Sequence, residues 1–225
     1  MSPITALLDP REWIQAVEDM YRAAKGFRVL AFGDTAVGKT TLWHYLEHDA
    51  PPPPGSIAST EGAERIGGFR LKTVKLVGVK AKLSAVDLPG QTELRHTWKP
   101  ALSQAKPEGI FFLLDHAKDA SKPPPGPGYD PERLEAHRVA FKQMRDLILA
   151  DEEVKSHLKA VAILVNKQDA WPRDLNYGTI LEASGIPSLY DRFAEVQVSI
   201  MSNGCSALYG ENVAAAAEWM VKHAR

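Results

Sequence analysis

Short apolar runs alternate with amphipathic stretches along most of this 225-residue chain. Phe27–Phe32, Gly109–Leu114 and Ala160–Val165 are almost uninterrupted apolar runs, the pattern of strands covered on both faces. Phe69–Val77 and Val79–Val86 alternate lysines with apolar residues on either side of Gly78 and predict a β-hairpin. Glu195–Met201 is a strand candidate with weaker alternation. Helical periodicity covers Thr40–His48 and residues 91–105, 131–149, 151–158, 176–184 and 210–224. A further helix is predicted within 1–26, where Asp9-Pro10-Arg11-Glu12 forms a start signal and Trp13, Ile14, Val17, Met20 and Tyr21 share one face. Alternating strands and helices predict an α/β fold. The expected arrangement is a six-stranded, mostly parallel sheet with helices on both faces and 69–77 as an antiparallel edge.

Two proline clusters interrupt the pattern, Pro51–Pro54 and the group Pro123, Pro124, Pro125, Pro127 and Pro131. Both read as stiff spacers in surface loops rather than domain linkers, because α/β signals continue on either side. The division expected is a helical lead-in over 1–26 and a single domain over 27–225.

Charge narrows the function. Lys and Arg number 27 and Asp and Glu 28, a net charge of −1, which argues against charge-driven binding to nucleic acid or acidic membranes. The single cysteine, Cys205, excludes an intrachain disulfide. No apolar run approaches the roughly 18 residues of a membrane span. Ser2 in place of Gly, and the Lys222–Arg225 end, predict no direct lipid anchor. A cytoplasmic location is expected.

Three motifs carry chemistry. Gly33-Asp34-Thr35-Ala36-Val37-Gly38-Lys39-Thr40 fits G-x-x-x-x-G-K-[ST] between a strand and a helix. In such a loop, backbone N–H groups from Gly33 through Thr41 turn around a phosphate, Lys39 supplies charge to the β- and γ-phosphates, and the Thr40 hydroxyl can ligate Mg²⁺. Asp87-Leu88-Pro89-Gly90-Gln91 follows a strand as D-x-x-G-Q, where Asp87 would hold Mg²⁺, the Gly90 N–H would meet the γ-phosphate and Gln91 would orient an attacking water. Asn166-Lys167-Gln168-Asp169 follows the last strongly apolar strand. The Asp169 carboxylate can accept from N1–H and N2 of guanine, the Lys167 stem can cover the base, and Asn166 can tie the loop to the base or to the phosphate loop. Together these predict a guanine nucleotide, GTP or GDP, with Mg²⁺. A P-loop ATPase or kinase would require Asn166–Asp169 to be an accident.

Over residues 27–224 the chain resembles the Ras superfamily of small GTPases, and within it the Arf/Sar branch. Asn-Lys-Gln-Asp is the Arf-like form of the guanine motif, and Leu94-Arg95-His96-Thr97-Trp98-Lys99 resembles the Arf/Sar switch II helix. Pro89-Gly90-Gln91 is similar to the switch II step of bacterial MglA-type GTPases. The resemblance implies a nucleotide-driven switch that hydrolyses GTP and signals to effectors through loops 50–68 and 88–100. It also implies a GTPase-activating protein, plausibly of the roadblock or longin type. The alternative is a slow or non-hydrolysing GTP-binding subunit of a heterodimer.

The resemblance leaves several residues open. The Mg²⁺-sensing residue of switch I is Ser56, Ser59 or Thr60, with Thr60 favoured by residue type. The last guanine loop is Ser206-Ala207 or Ser202-Asn203. Arg65 and Arg95 are candidate arginine fingers. Thr35, where Ras has Gly, predicts slow intrinsic hydrolysis. His44 and His48, four apart on a helix, read as a surface pair rather than metal ligands.

Overall fold

The computed structural model describes residues 27–53, 72–75, 82–88, 90, 92–118, 128–194 and 196–224. The lead-in helix, the switch I candidates Ser56, Ser59, Thr60 and Arg65, the turn at Gly78, Pro89, Gln91 and most of the second proline cluster lie outside them.

Six strands form one sheet: β1 (Phe27–Gly33), β2 (Lys72–Lys75), β3 (Lys82–Asp87), β4 (Gly109–Leu114), β5 (Ala160–Val165) and β6 (Ser199–Gly204). Their spatial order is β2-β3-β1-β4-β5-β6. Every neighbouring pair is parallel except β2 with β3, where Lys72 lies opposite Ala85 and Lys75 opposite Lys82. The helices are α1 (Lys39–His48), α2 (Trp98–Ala105), α3 (Pro131–Leu149), α4 (Glu152–His157), α5 (Tyr177–Ala183), α6 (Asp191–Ala194) and α7 (Val213–His223).

Strands β1, β4 and β5 are buried on both faces, which explains their continuous apolar runs. Leu30, Phe32, Ile110, Phe112, Leu114, Val161 and Ile163 point into one core layer with Trp98, Phe141 and Met144. The alternate residues Val29, Ala31, Phe111, Leu113, Ala162 and Leu164 point into the other, with Leu42, Trp43, Ala216 and Met220. Strand period two thus feeds two cores at once. Edge-on aromatic pairs hold helices to the sheet: Phe32 with Trp98 at 5.1 Å and Phe112 with Phe141 at 5.0 Å between ring centroids.

Two expectations are corrected. The last strand is Ser199–Gly204, not Glu195–Met201. Its sequence, SIMSNG, has little pattern of its own, and its register is set by pairing Ser199 to Ala160 through Gly204 to Val165. The helix expected over 91–105 is a 3-10 segment, Thr92–Thr97, running into α2.

Parallel strands put their C-terminal ends on one edge. Gly33, Asp87, Leu114, Val165 and Gly204 therefore end together, and the loops that follow them converge.

Candidate functional site

The loop after β1 makes its turn through two left-handed residues, Ala36 (φ 61°) and Gly38 (φ 94°), before α1 begins at Lys39. The Lys39 ammonium donates to the Gly33 carbonyl at 3.1 Å and the Asp34 carbonyl at 2.9 Å, bracing the loop across its mouth. Thr35 donates its N–H to the Asp34 carboxylate at 2.8 Å. The first turn of α1 adds the positive end of a helix dipole, so the loop has the form of an anion cradle.

Asn166 joins three loops while only 3% exposed. Its Nδ2 donates to the Val37 carbonyl at 2.7 Å, and its Oδ1 accepts from the Ala207 N–H at 2.8 Å. Ser206 donates its hydroxyl to the Asp169 carboxylate. Ser202 and Asn203 instead lie within β6, opposite Ile163 and Leu164. Of the two alternatives for the last guanine loop, the structure therefore brings Ser206-Ala207 to Asn166 and Asp169. Lys167 adopts a left-handed backbone (φ 64°), and its ammonium lies 2.6 Å from the Asp115 carboxylate.

Asp87 ends β3 opposite Ala31 of β1, one strand away from the phosphate loop. Thr40 lies in the first turn of α1. A hydroxyl and a carboxylate are hard oxygen donors that fit Mg²⁺ rather than a thiolate- or imidazole-seeking metal. Gly90 packs directly on the phosphate loop, where an added Cβ would come within 2.3 Å of the Asp34 carbonyl carbon.

Arg95 folds back onto the phosphate loop and the turn at Gly90. It is 4% exposed, donates to Asp34 at 3.1 Å and to the Gly90 carbonyl at 3.3 Å, and lies over the Trp98 ring. His44 and His48 form a tilted ring pair at 4.4 Å, and His44 Nδ1 lies 3.2 Å from the Ala50 carbonyl. Cys205 directly follows β6, with Sγ 3.5 Å from Asn166 Oδ1. Burial and the Asp169 charge push its thiol up to about 12, so it stays protonated.

Asp115, Arg133 and His137 carry no motif, yet they meet at the centre of the site. Asp130 caps α3 by accepting from the Glu132 and Arg133 N–H groups, with Pro131 in the first turn. That start aims Arg133 and His137, four residues apart, at the end of β4. Arg133 Nε donates to Asp115 Oδ1 at 2.7 Å, and His137 Nε2 lies 2.8 Å from the same oxygen. A basic pair at that spacing, on a face otherwise built of Leu134, Ala140, Phe141 and Met144, is the signal that could have found them.

Burial pushes the Asp115 carboxyl up, but the hydrogen bonds from His137 and Arg133 and the Arg133 charge outweigh it and hold it well below the usual carboxylate range. Burial holds His137 below its ordinary 6.5 despite Asp115, so the imidazole is neutral at pH 7 and Arg133 carries the countercharge. Both folded-state values are depressed. Each contribution is present above the unfolded value and is lost as pH falls toward the folded one. The melting temperature is expected to decline as pH drops below 6.5 and to fall further near 3.8. Thermal melts between pH 8 and 4 would check this, and His137→Gln should flatten the upper part of the slope. A slope in that upper part that the variant leaves unchanged would refute the assignment.

The ADP-ribosylation factor family profile matches residues 13–224. The chain belongs to that family. ADP-ribosylation factor-related protein 1 of Bos taurus and that of Homo sapiens are each 28% identical to it over 160 residues. The match covers 69% of this chain and 64% of those relatives, under two thirds of their length. Among solved structures, the Trypanosoma brucei Arl6 BBS3 small GTPase with bound GppNp superposes with a TM-score of 0.60 at 16% identity, covering 88% of this chain and 96% of that one. The Chaetomium thermophilum signal recognition particle receptor SRb-GDP-Mg gives 0.51 at 15% identity, covering 88% and 99%. Those two likenesses establish the fold. Among the described residues no helix of this family member is long and apolar enough to cross a membrane.

Proposed function

We propose that this ADP-ribosylation factor family member is a guanine-nucleotide switch that binds GTP, hydrolyses it to GDP and phosphate, and presents different loop surfaces in the two states. The observation that carries the reading is Asn166, which clamps the Val37 carbonyl of the phosphate loop and the Ala207 amide of the last loop with one side chain. The clamp ties a triphosphate cradle to a loop bearing the Asp169 carboxylate.

Loop N–H groups from Gly33 through Thr41 and the Lys39 ammonium would hold the phosphates. Lys167 would cover the base, and Asp169, steadied by Ser206, would accept from its Watson–Crick edge. Thr40, Asp87 and Thr60 would hold Mg²⁺, which supplies charge neutralisation on the phosphate oxygens when bound. Gln91 would position the attacking water, and Gly90 would meet the γ-phosphate. Effectors and a GTPase-activating protein, of roadblock or longin type, would read loops 50–68 and 88–100. The Pro89-Gly90-Gln91 step supports an MglA-like switch II. A cytoplasmic home suits this chemistry, and the domain would span 27–225 behind a lead-in over 1–26.

Denaturing freshly purified protein and chromatographing the released nucleotide is the direct test. About one equivalent of GDP is expected. With added GTP and Mg²⁺, slow conversion should follow, reduced by about tenfold to a hundredfold in Gln91→Leu while GDP affinity stays within about twofold. GTP recovered intact after long incubation would favour the static subunit of a heterodimer instead.

A further inference from the structure

One guanidinium stands between the two halves of the site. Arg133 Nη1 donates to Asp34 Oδ2 at 2.8 Å, and Nη2 donates to the Thr35 carbonyl at 2.6 Å. Its other edge forks onto Asp115, with Nε at 2.7 Å from Oδ1 and Nη2 at 3.3 Å from Oδ2. Asp115 Oδ2 in turn faces the Lys167 ammonium at 2.6 Å. Phosphate loop, end of β4, start of α3 and guanine loop are joined in a single chain of charge-assisted bonds, with the Asp115 and Arg133 side chains 0% and 5% exposed.

We propose that Arg133 and Asp115 are positioning residues that lock the phosphate loop and the guanine loop into one frame, so that the grip on the phosphates depends on the base-side loop being in place. The proposal rests on Asn166–Asp169 being the base site.

The geometry gives the lock a mechanism. A peptide is planar and trans, so its C=O and N–H point opposite ways. Drawing the Thr35 carbonyl toward Arg133 turns the Ala36 N–H to the other side, and Ala36 is already held left-handed. Asp34, held by Arg133 and by Arg95, occupies the Thr35 N–H and leaves the turn no second way to point. A buried ion network is a poor source of net stability beside apolar side chains of the same volume, but it fixes geometry. Arg rather than Lys is required, because only a planar fork reaches a carboxylate on each side and a carbonyl between. Within the network, Arg95, Arg133 and Lys167 face two carboxylates, which leaves one positive charge beside the phosphate cradle.

Arg133→Met is the decisive variant, because it leaves Asp34 paired with Arg95, and Asp115 with Lys167 and His137. Equilibrium affinities for GDP and GMP are compared. The expected result is a GDP affinity lower by about tenfold or more with GMP affinity within about twofold, since the lost contact orients the loop that meets the second phosphate. Arg133→Lys should not restore GDP affinity. Asp115→Asn should lower GMP affinity as well as GDP affinity, because Lys167 loses its anchor too. Equal losses for GDP and GMP in Arg133→Met would mark a merely structural role and overturn the proposal, as would no change or full recovery in Arg133→Lys. Asp169→Ala in parallel separates the failures. Guanine preference surviving in that variant sinks the base-site reading. Preference lost there, with the GDP-to-GMP ratio intact in Arg133→Met, sinks this inference alone.

Discussion

Asp169→Ala is expected to erase discrimination between GDP and ADP, a loss of about two to four orders of magnitude in relative affinity. The size follows from the chemistry. The carboxylate can accept two hydrogen bonds from guanine, each worth about 1.5–3 kcal/mol when one partner is charged. Adenine offers neither donor in that arrangement. Asp169 is placed by the 3-10 turn Gln168–Ala170, which follows directly on β5 and Asn166, and is steadied by the Ser206 hydroxyl. Competition of GDP and ADP for the purified variant is the measurement. An unchanged ratio would mean that the base is read elsewhere.

Gly38→Ala should be broader in effect, since it strikes both halves of the site. Gly38 has φ +94°, and an added Cβ would lie 2.3 Å from Asn166 Nδ2, the atom that holds the Val37 carbonyl. Asn166 is buried and fixed from its other side by the Ala207 N–H, so it has nowhere to retreat. Left-handed strain of about 1–2 kcal/mol adds to the broken clamp. Nucleotide affinity is expected to fall by about a hundredfold or more, and the melting temperature by about 3–10 °C. Calorimetry and a thermal melt check both, and near-native GDP affinity would show that the Asn166 clamp is dispensable.

The centre of the sheet was legible because β1, β4 and β5 are buried on both faces. Gly109–Leu114 and Ala160–Val165 form as expected, since two core layers demand apolar residues at every position. The helix at Pro131–Leu149 was legible from its period, and Asp130 caps it. β6 was not, because Ser199–Gly204 takes its register from β5 rather than from its own residues. In the site, the glycine-rich loop and Asn166–Asp169 announced themselves as strings of adjacent residues. Arg133 and Asp115 did not. Their meaning lies in contacts across 18 and 99 residues of sequence, and a charged residue on a helix ordinarily reads as solvated. Gln91 and Thr60 lie outside the described residues, so their roles rest on the motif and the family pattern alone.

The clamp from Asn166 to Val37 closes a span of 129 residues. Contacts that distant form only after the chain has met the entropy of large loop closure, so the cradle is complete only when the whole sheet is. A ligand recognised by that cradle binds the native chain and not the unfolded one. At a hundredfold excess over its Kd it would add about 2.7 kcal/mol to folding, a sizeable share of the marginal stability of a domain. A bound nucleotide would then act as the last long-range staple of the fold, and the fraction of chains in the native state would answer to ligand concentration as well as to sequence.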